Sequence, residues 1–208
     1  MLRLVTPPQR TQLTTLAAAQ TDLGVADVRI SALIDQASEA CVAFCGRPFA
    51  QASWEETFFG ADGPLVLSRI PVTEIASVAS GEYQLPETDW TFDQGSGLLH
   101  RHTYGQNGSY GIGYGQGWGY FQTVVSYTAG YVLPGGTNPT LPATIERACL
   151  EMVRALWFST GPGGRDPTIR SESVQGIGTT SYFDPQPGTF GLPALATSLL
   201  QSYRNLRS

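Results

Sequence analysis

The chain has 208 residues with a hydrophobic fraction of 41%, enough for a sizeable folded core. Only 14% of residues are charged, against about 25% in an average soluble protein, so part of the surface is expected to lie against partners. The net charge is −5 and all twelve basic residues are arginines, which excludes a phosphate-gripping patch and any chemistry that needs a lysine: a phosphate clamp, a Schiff base, a lysine-dependent ligase.

The opening MLRLVTPPQR lacks the apolar centre of a signal peptide, and no apolar run reaches the roughly 18 residues of a membrane span. Cys41, Cys45 and Cys149 are an odd set with no disulfide framework. Together these predict a protein made and kept in a reducing cytoplasm, or in a particle assembled there.

Two helices are predicted first. Thr11 or Thr14 caps a short one carrying Leu13, Leu16, Ala17 and Leu23, which Gly24 ends. Asp27 caps a stronger one, whose residues Ile30, Leu33, Ile34, Ala37, Cys41, Phe44 and Cys45 form one apolar stripe. Gly46 stops it and Pro48 follows. Strand-like pieces come next, at 53–59, 65–68, 74–78, 89–92 and 98–101, separated by Gly, Pro and Asp. Their alternation is imperfect, which predicts hairpins or a small sheet. Residues 105–120 are rich in Gly, Tyr and Trp without periodicity, hence a loop. Phe121, Thr123, Val125 and Tyr127 then alternate as a strand closed by Gly130. Pro142 opens a third helix with Ile145, Ala148, Cys149, Met152, Val153 and Leu156 on its buried face. A Gly- and Pro-rich stretch from 161 to 191 reads as an extended arm. A last short helix from about Pro193 carries Leu195, Leu199, Tyr203 and Leu206 on one side.

The expected fold is α+β: mainly a helical bundle of three main helices plus a short C-terminal one, with a small antiparallel β element and an extended C-terminal arm. Residues 1–158 make the body, glycine-rich loop included, and residues 159–208 the arm and last helix.

No catalytic constellation emerges. Cys41 and Cys45 are one helical turn apart, but zinc needs three or four ligands and no His lies nearby in sequence; small thiols on an apolar stripe pack as core. Cys149 follows the same logic. His100 and His102, the only histidines, point the same way from a strand, so a two-histidine metal site is the alternative to a plain strand end. A Ser-His-Asp triad has no GxSxG elbow, since Gln94-Gly95-Ser96-Gly97 lacks the first glycine. The run GSYGIGYGQGWGY holds no G-x-G-x-x-G register. Its aromatics could stack on single-stranded bases, but without flanking Lys or Arg they fit protein contacts better. Glu55 and Glu56 are adjacent on a strand and face opposite ways, so they cannot work as one acid–base pair. No cofactor or metal is called for.

Several stretches resemble the head-to-tail adaptor (connector) family of tailed double-stranded DNA phages and gene transfer particles. They are LVTPP, TTLAAAQTDLGV and DVRISALIDQASEACVAFCGRPF at the start, PLVLSRIPVTEIASV in the middle, and VVSYTAGY followed by LPATIERACLEMVRALW. IRSESVQGIGTTSY and LPALATSLLQSYRN resemble the tail of its longer members. The likeness runs in order along most of the chain except the glycine loop. It departs in the first helix, where Ala18, Gln20 and Gly24 stand in place of charges. The resemblance implies a virion protein of the neck, not an enzyme: a homo-oligomeric ring, commonly twelve-fold, beneath the portal protein. That ring would join the portal to a head-closure or tail-terminator protein, with DNA passing as non-specific cargo and no membrane involved. The C-terminal arm and last helix would dock on the portal. Another neck or tail-completion protein is the alternative reading, and a small metal-dependent hydrolase using His100 and His102 a further one. Contact residues are expected at Tyr114, Trp118 and Tyr120 in the loop, and at Arg170, Tyr182, Phe183, Phe190 and Tyr203 in the arm. For Tyr203 core packing is the alternative.

Overall fold

A computed structural model of the chain describes residues 1–61, 63–94, 96–104, 110–111, 118–160, 171–174, 178–181 and 190–205. Contacts divide the chain into two compact units, each assembled from two separated pieces: Met1–Gln9 with Ala50–Tyr131, and Arg10–Phe49 with Val132–Ser208.

The first unit is built on strands. Its main sheet takes β1 (Leu2–Thr6), β2 (Ala52–Ala61), β4 (Val72–Ser80), β5 (Tyr83–Leu85) and β10 (Gly119–Ala129), in the order β1-β2-β10-β4-β5, all antiparallel. A smaller sheet runs β3 (Leu65–Val66), β7 (Leu98–Arg101), β6 (Trp90–Asp93), and β8 (Thr103–Tyr104) pairs with β9 (Tyr110–Gly111). Strand β10 lies at the centre because its alternation is the cleanest in the chain: Thr123, Val125, Tyr127 and Ala129 are all buried. Val125, Tyr127 and Ala129 meet Val72 and Val78 of β4, Leu65 and Leu99 of the small sheet, Leu67 and Trp118 in one apolar cluster. Each such side chain contributes about 1.5–3 kcal/mol on leaving water, so this cluster is what holds the unit. Where β10 ends, Gly130 adopts φ 112 and its backbone lies against Ala50, so close that a Cβ would sit 2.5 Å from the Ala50 carbonyl oxygen. Only glycine fits.

The second unit is helical: α1 (Leu16–Leu23), α2 (Ile30–Cys45), α3 (Ala143–Thr160) and α4 (Ala194–Leu200), which a 3-10 turn at Gln201–Tyr203 extends. Between α3 and α4 lies a hairpin of β11 (Ser171–Val174) and β12 (Gly178–Ser181). Ile30, Ile34, Ala37, Cys41, Phe44 and Cys45 are buried along α2, as its three- and four-residue steps predict. Ile145, Ala148, Cys149, Met152 and Val153 of α3 are buried too. Gly46 ends α2 at φ 65 and Gly24 ends α1 at φ 69, both left-handed caps. Thr15, rather than Thr11 or Thr14, caps α1, accepting from Ala18 N–H. Asp27 shapes the turn before α2, its carboxylate accepting from Arg29 N–H at 2.8 Å, and the helix proper begins at Ile30.

The expectation of a mainly helical bundle with a small β element is overturned. The chain is a sheet-rich α+β protein, which carries a five-stranded antiparallel sheet and smaller sheets as well as its four α-helices. The physical reason lies in pairing distance. Strands β2 and β10 run 10 and 11 residues and pair with each other across the chain, Glu56 against Val125. Local periodicity carries no trace of such a partnership, and LRLVT, the start of the first sequence block, proves to be a strand on the same sheet. The last helix also turns another face inward. Leu192, Ala196 and Leu200 are buried, while Leu195 is exposed.

Candidate interaction surfaces

The chemically able side chains are engaged within the fold. His102 follows β7, and its Nδ1 lies 2.8 Å from the Thr88 carbonyl oxygen, to which it donates. That bond leaves Nε2 to accept from the Thr91 hydroxyl. Both ring nitrogens thus tie the end of β7 to β6 and the turn before it. His100 stands opposite Thr91 in the β6–β7 register. Among the described residues no group of three or more His, Cys, Asp and Glu converges as a metal site.

Glu55 and Glu56 part to opposite faces of β2, as adjacent strand residues must. Glu55 reaches outward to Arg3 at 3.9 Å. Glu56 turns into the core, 6% exposed. Its carboxylate accepts from Ser68 N–H at 2.9 Å, from the Ser68 hydroxyl, and from the Tyr127 hydroxyl at 2.9 Å. The Arg69 guanidinium lies over the Trp54 ring at 4.9 Å. Burial, and then the neighbouring carboxylate, push the Tyr127 phenol far above its usual range, so it remains a proton donor to Glu56. A carboxylate that satisfies three donors is a staple between β2, β10 and the chain after β3. It is built for shape rather than proton transfer.

The helical unit carries its own polar lock. Asp22 of α1 receives Arg147 at 2.9 Å and Arg154 at 2.8 Å from α3, and Glu151 joins both arginines from their own helix. The three thiols are buried: Cys45 Sγ points at the Leu200 carbonyl oxygen at 3.9 Å, and Cys149 meets the Ser38 hydroxyl at 3.6 Å. Burial pushes the Cys45 thiol up to about 11. Cys41 is pushed higher still, by its hydrogen bond with Cys149 and by burial.

The expected contact residues fall in several places. Trp118 is 1% exposed and part of the β core; its N–H donates to the Ala61 carbonyl at 2.7 Å, which draws it inward as the chain enters β10. Its place in this chain is core, not surface. Tyr120 is described only in its backbone, within β10, and Tyr114, Arg170, Tyr182 and Phe183 lie outside the described residues. Phe190 is 57% exposed at φ 53, just before α4. Tyr203 is half-buried: its hydroxyl bonds that of Thr144 at 2.8 Å and its ring meets Phe49 edge-on at 6.5 Å. Arg204 lies over Phe44 at 5.0 Å and Asn205 N–H donates to the Cys45 carbonyl at 2.7 Å, so the C-terminal helix is fastened to α2.

Other exposed apolar residues were not singled out by periodicity. Val28 and Phe158 are exposed in the helical unit, and Arg29 lies over Trp157 at 5.6 Å. In the β unit Leu4 and Val5 of β1, and Met1 just before it, are exposed. The alternation of LRLVT before two prolines is the signal that could have found that strand. No helix among the described residues is long and apolar enough to cross a membrane.

No family model matches the chain, and no curated protein does. Solved structures do. A chain in the neck of a native GTA particle, computed with C12 symmetry, is 16% identical, covering 100% of this chain and 97% of its own, with a TM-score of 0.57. A chain in the neck of an empty GTA particle, computed with C6 symmetry, is 14% identical over the same shares, at 0.55. A chain in the virion of a native gene transfer agent particle is 16% identical, again over 100% and 97%, at 0.55. The likeness is one of fold, and it extends over both units.

Proposed function

We propose that this chain is a structural, non-catalytic subunit of a virion neck. In this reading it is a head-to-tail adaptor that closes into a ring, twelve-fold by analogy with the C12 particle. The ring lies beneath the portal protein, joins it to a head-closure or tail-terminator protein, and leaves a channel for DNA. The observation that carries the reading is the fold shared along the whole chain with neck chains of gene transfer agent particles. The adaptor-like order of LVTPP, the first helices, VVSYTAGY and the helix after Pro142 supports it independently. So does charge: a net −5 without lysine lets DNA slide past without being gripped. The portal-docking part is residues 159–208, with Phe190 and Tyr203 among its contacts beside Arg170, Tyr182 and Phe183. Tyr114 and Tyr120 belong to the contacts of the glycine-rich stretch.

The test is electron microscopy and native mass spectrometry of the purified chain, followed by particle reconstruction. Rings with a central hole that bind portal rings, and particles that fill with DNA yet lack tails when the gene is removed, are the expected results. A chain that stays monomeric at high concentration and is absent from finished particles overturns the reading. The neighbouring reading, another neck or tail-completion protein, is separated by position: its ring would not bind the portal and would lie further tailward.

A further inference from the structure

The end of α2 brings two arginines together from distant parts of the sequence. Arg47 follows Gly46, the left-handed residue that stops the helix, and its guanidinium lies over the Phe49 ring at 5.5 Å. Arg204 comes just after the 3-10 turn at Gln201–Tyr203 and lies over the Phe44 ring at 5.0 Å. The next residue, Asn205, fastens this segment to α2 through its N–H on the Cys45 carbonyl at 2.7 Å. Both rings are fixed in turn: Phe44 is 7% and Phe49 1% exposed, and Phe49 meets Tyr203 edge-on. At the Cys45 thiol burial raises the proton affinity and both arginines oppose it, so the two charges stand within reach of one sulfur atom.

Nothing among the described residues neutralises them. Arg3, Arg29, Arg147 and Arg154 each meet an acid, whereas no carboxylate pairs with Arg47 or Arg204. Arg47 Nε is buried without a hydrogen-bond partner. The negative end of α2 favours cations nearby, and the arginine stems cover the two rings. Neither role uses the planar heads, each a fixed fork of five N–H donors. A carboxylate fits such a fork with two parallel bonds. A nucleic-acid backbone asks instead for a row of cations, and here two stand together in a chain of net charge −5. Arginine framed by aromatic rings is what protein interfaces favour.

We infer that Arg47 and Arg204 form a carboxylate clamp and that its occupant is an acidic segment of the portal protein. The inference rests on the portal-docking reading above, to which Tyr203 and Arg204 already belong. It names the chemistry the portal presents there, Asp or Glu side chains, and extends the docking surface from the last helix on to the end of α2. The rings beneath hold both heads in place before the partner arrives, so little side-chain freedom is lost on docking.

The experiment uses the full chain and purified portal rings of the same particle. R47Q combined with R204Q is expected to weaken portal binding about tenfold or more and to flatten its dependence on salt, at unchanged circular dichroism. R47K combined with R204K keeps the charge but loses the fork, and should fall between. R204Q alone, at an exposed position, decides the matter if the change at Arg47 disturbs folding. Because the chain has no lysine, R204K also places a single side-chain amine at this spot. A zero-length carbodiimide should then join residue 204 to an Asp or Glu of the portal, a link that mass spectrometry finds in the variant and not in the wild type. Three results overturn the inference and leave the docking reading standing: undiminished portal affinity in the glutamine variants, residue 204 joined to a second copy of this chain, or a loss of DNA binding in place of portal binding. A wild-type chain that does not bind portal rings at all sinks both.

Discussion

Replacing Glu56 by alanine strands the Tyr127 hydroxyl, which is the costly part of the change. Ser68 is exposed, so water takes over its two donors, and losing their bonds to the carboxylate costs about 1 kcal/mol. Tyr127 is 1% exposed in the middle of β10, and an orphaned buried hydroxyl costs about 1–3 kcal/mol. Glu56→Ala should therefore cost about 2–4 kcal/mol. Tyr127→Phe alone removes the donor and leaves the carboxylate on Ser68, at about 1.5–2 kcal/mol. Combined, the second change removes the group that the first one stranded. The double variant should thus be more stable than Glu56→Ala alone, with a coupling of at least about 2.5 kcal/mol. Trp54, Trp90 and Trp118, three of the four tryptophans, lie in the β unit, so urea unfolding followed by tryptophan fluorescence reads the right unit. Single-variant costs that simply add, within about 0.5 kcal/mol, would refute the account of Glu56 as a staple through Tyr127.

Two glycines with the same backbone demand should respond differently. Gly130→Ala meets the Ala50 carbonyl and should abolish soluble expression or lower the melting temperature steeply. Gly24→Ala, with open space around its Cβ, should cost about 1 kcal/mol by the same melting assay. Asp22→Asn weakens the clasp of Arg147 and Arg154; these groups are partly exposed, so about 1 kcal/mol is expected from thermal melts, shrinking at 1 M salt. Cys45 binds its proton more tightly folded, about 11, than unfolded, near 9. Its contribution is therefore complete below pH 9 and lost as pH rises through 11. Urea titrations across that window should show a fall in stability that Cys45→Ala diminishes.

The helices were legible because their evidence is local. The α2 stripe from Ile30 to Cys45 and the α3 face from Ile145 to Val153 repeat at a helix's own period, and Gly24 and Gly46 cap α1 and α2 where their apolar residues end. Strand β10 announced itself by alternation. The sheet as a whole did not, because β2 breaks the pattern with Glu56 on its buried side and because its partners lie far along the chain. Trp118 read as a loop residue among glycines, and its burial is decided by a bond to Ala61 that no neighbouring residue encodes. The last helix offered apolar residues on two sides, and packing rather than period chose Leu192, Ala196 and Leu200. For the contact surfaces the difficulty is different. Surface residues that meet a partner obey the partner's shape, and LRLVT shows its place only once the sheet order puts it at an edge.

The central place of β10 also governs when this protein can fold. Strands β2 and β4 leave the ribosome early, but the strand that belongs between them ends only at Ala129, and the helical unit waits for α3 and α4. During synthesis two long ribbons are therefore present with no lawful neighbour, prone to join each other or another nascent chain. Slowing translation before residue 129 should raise misassembly, whereas a pause after it should be harmless. A chain of this topology needs its middle last.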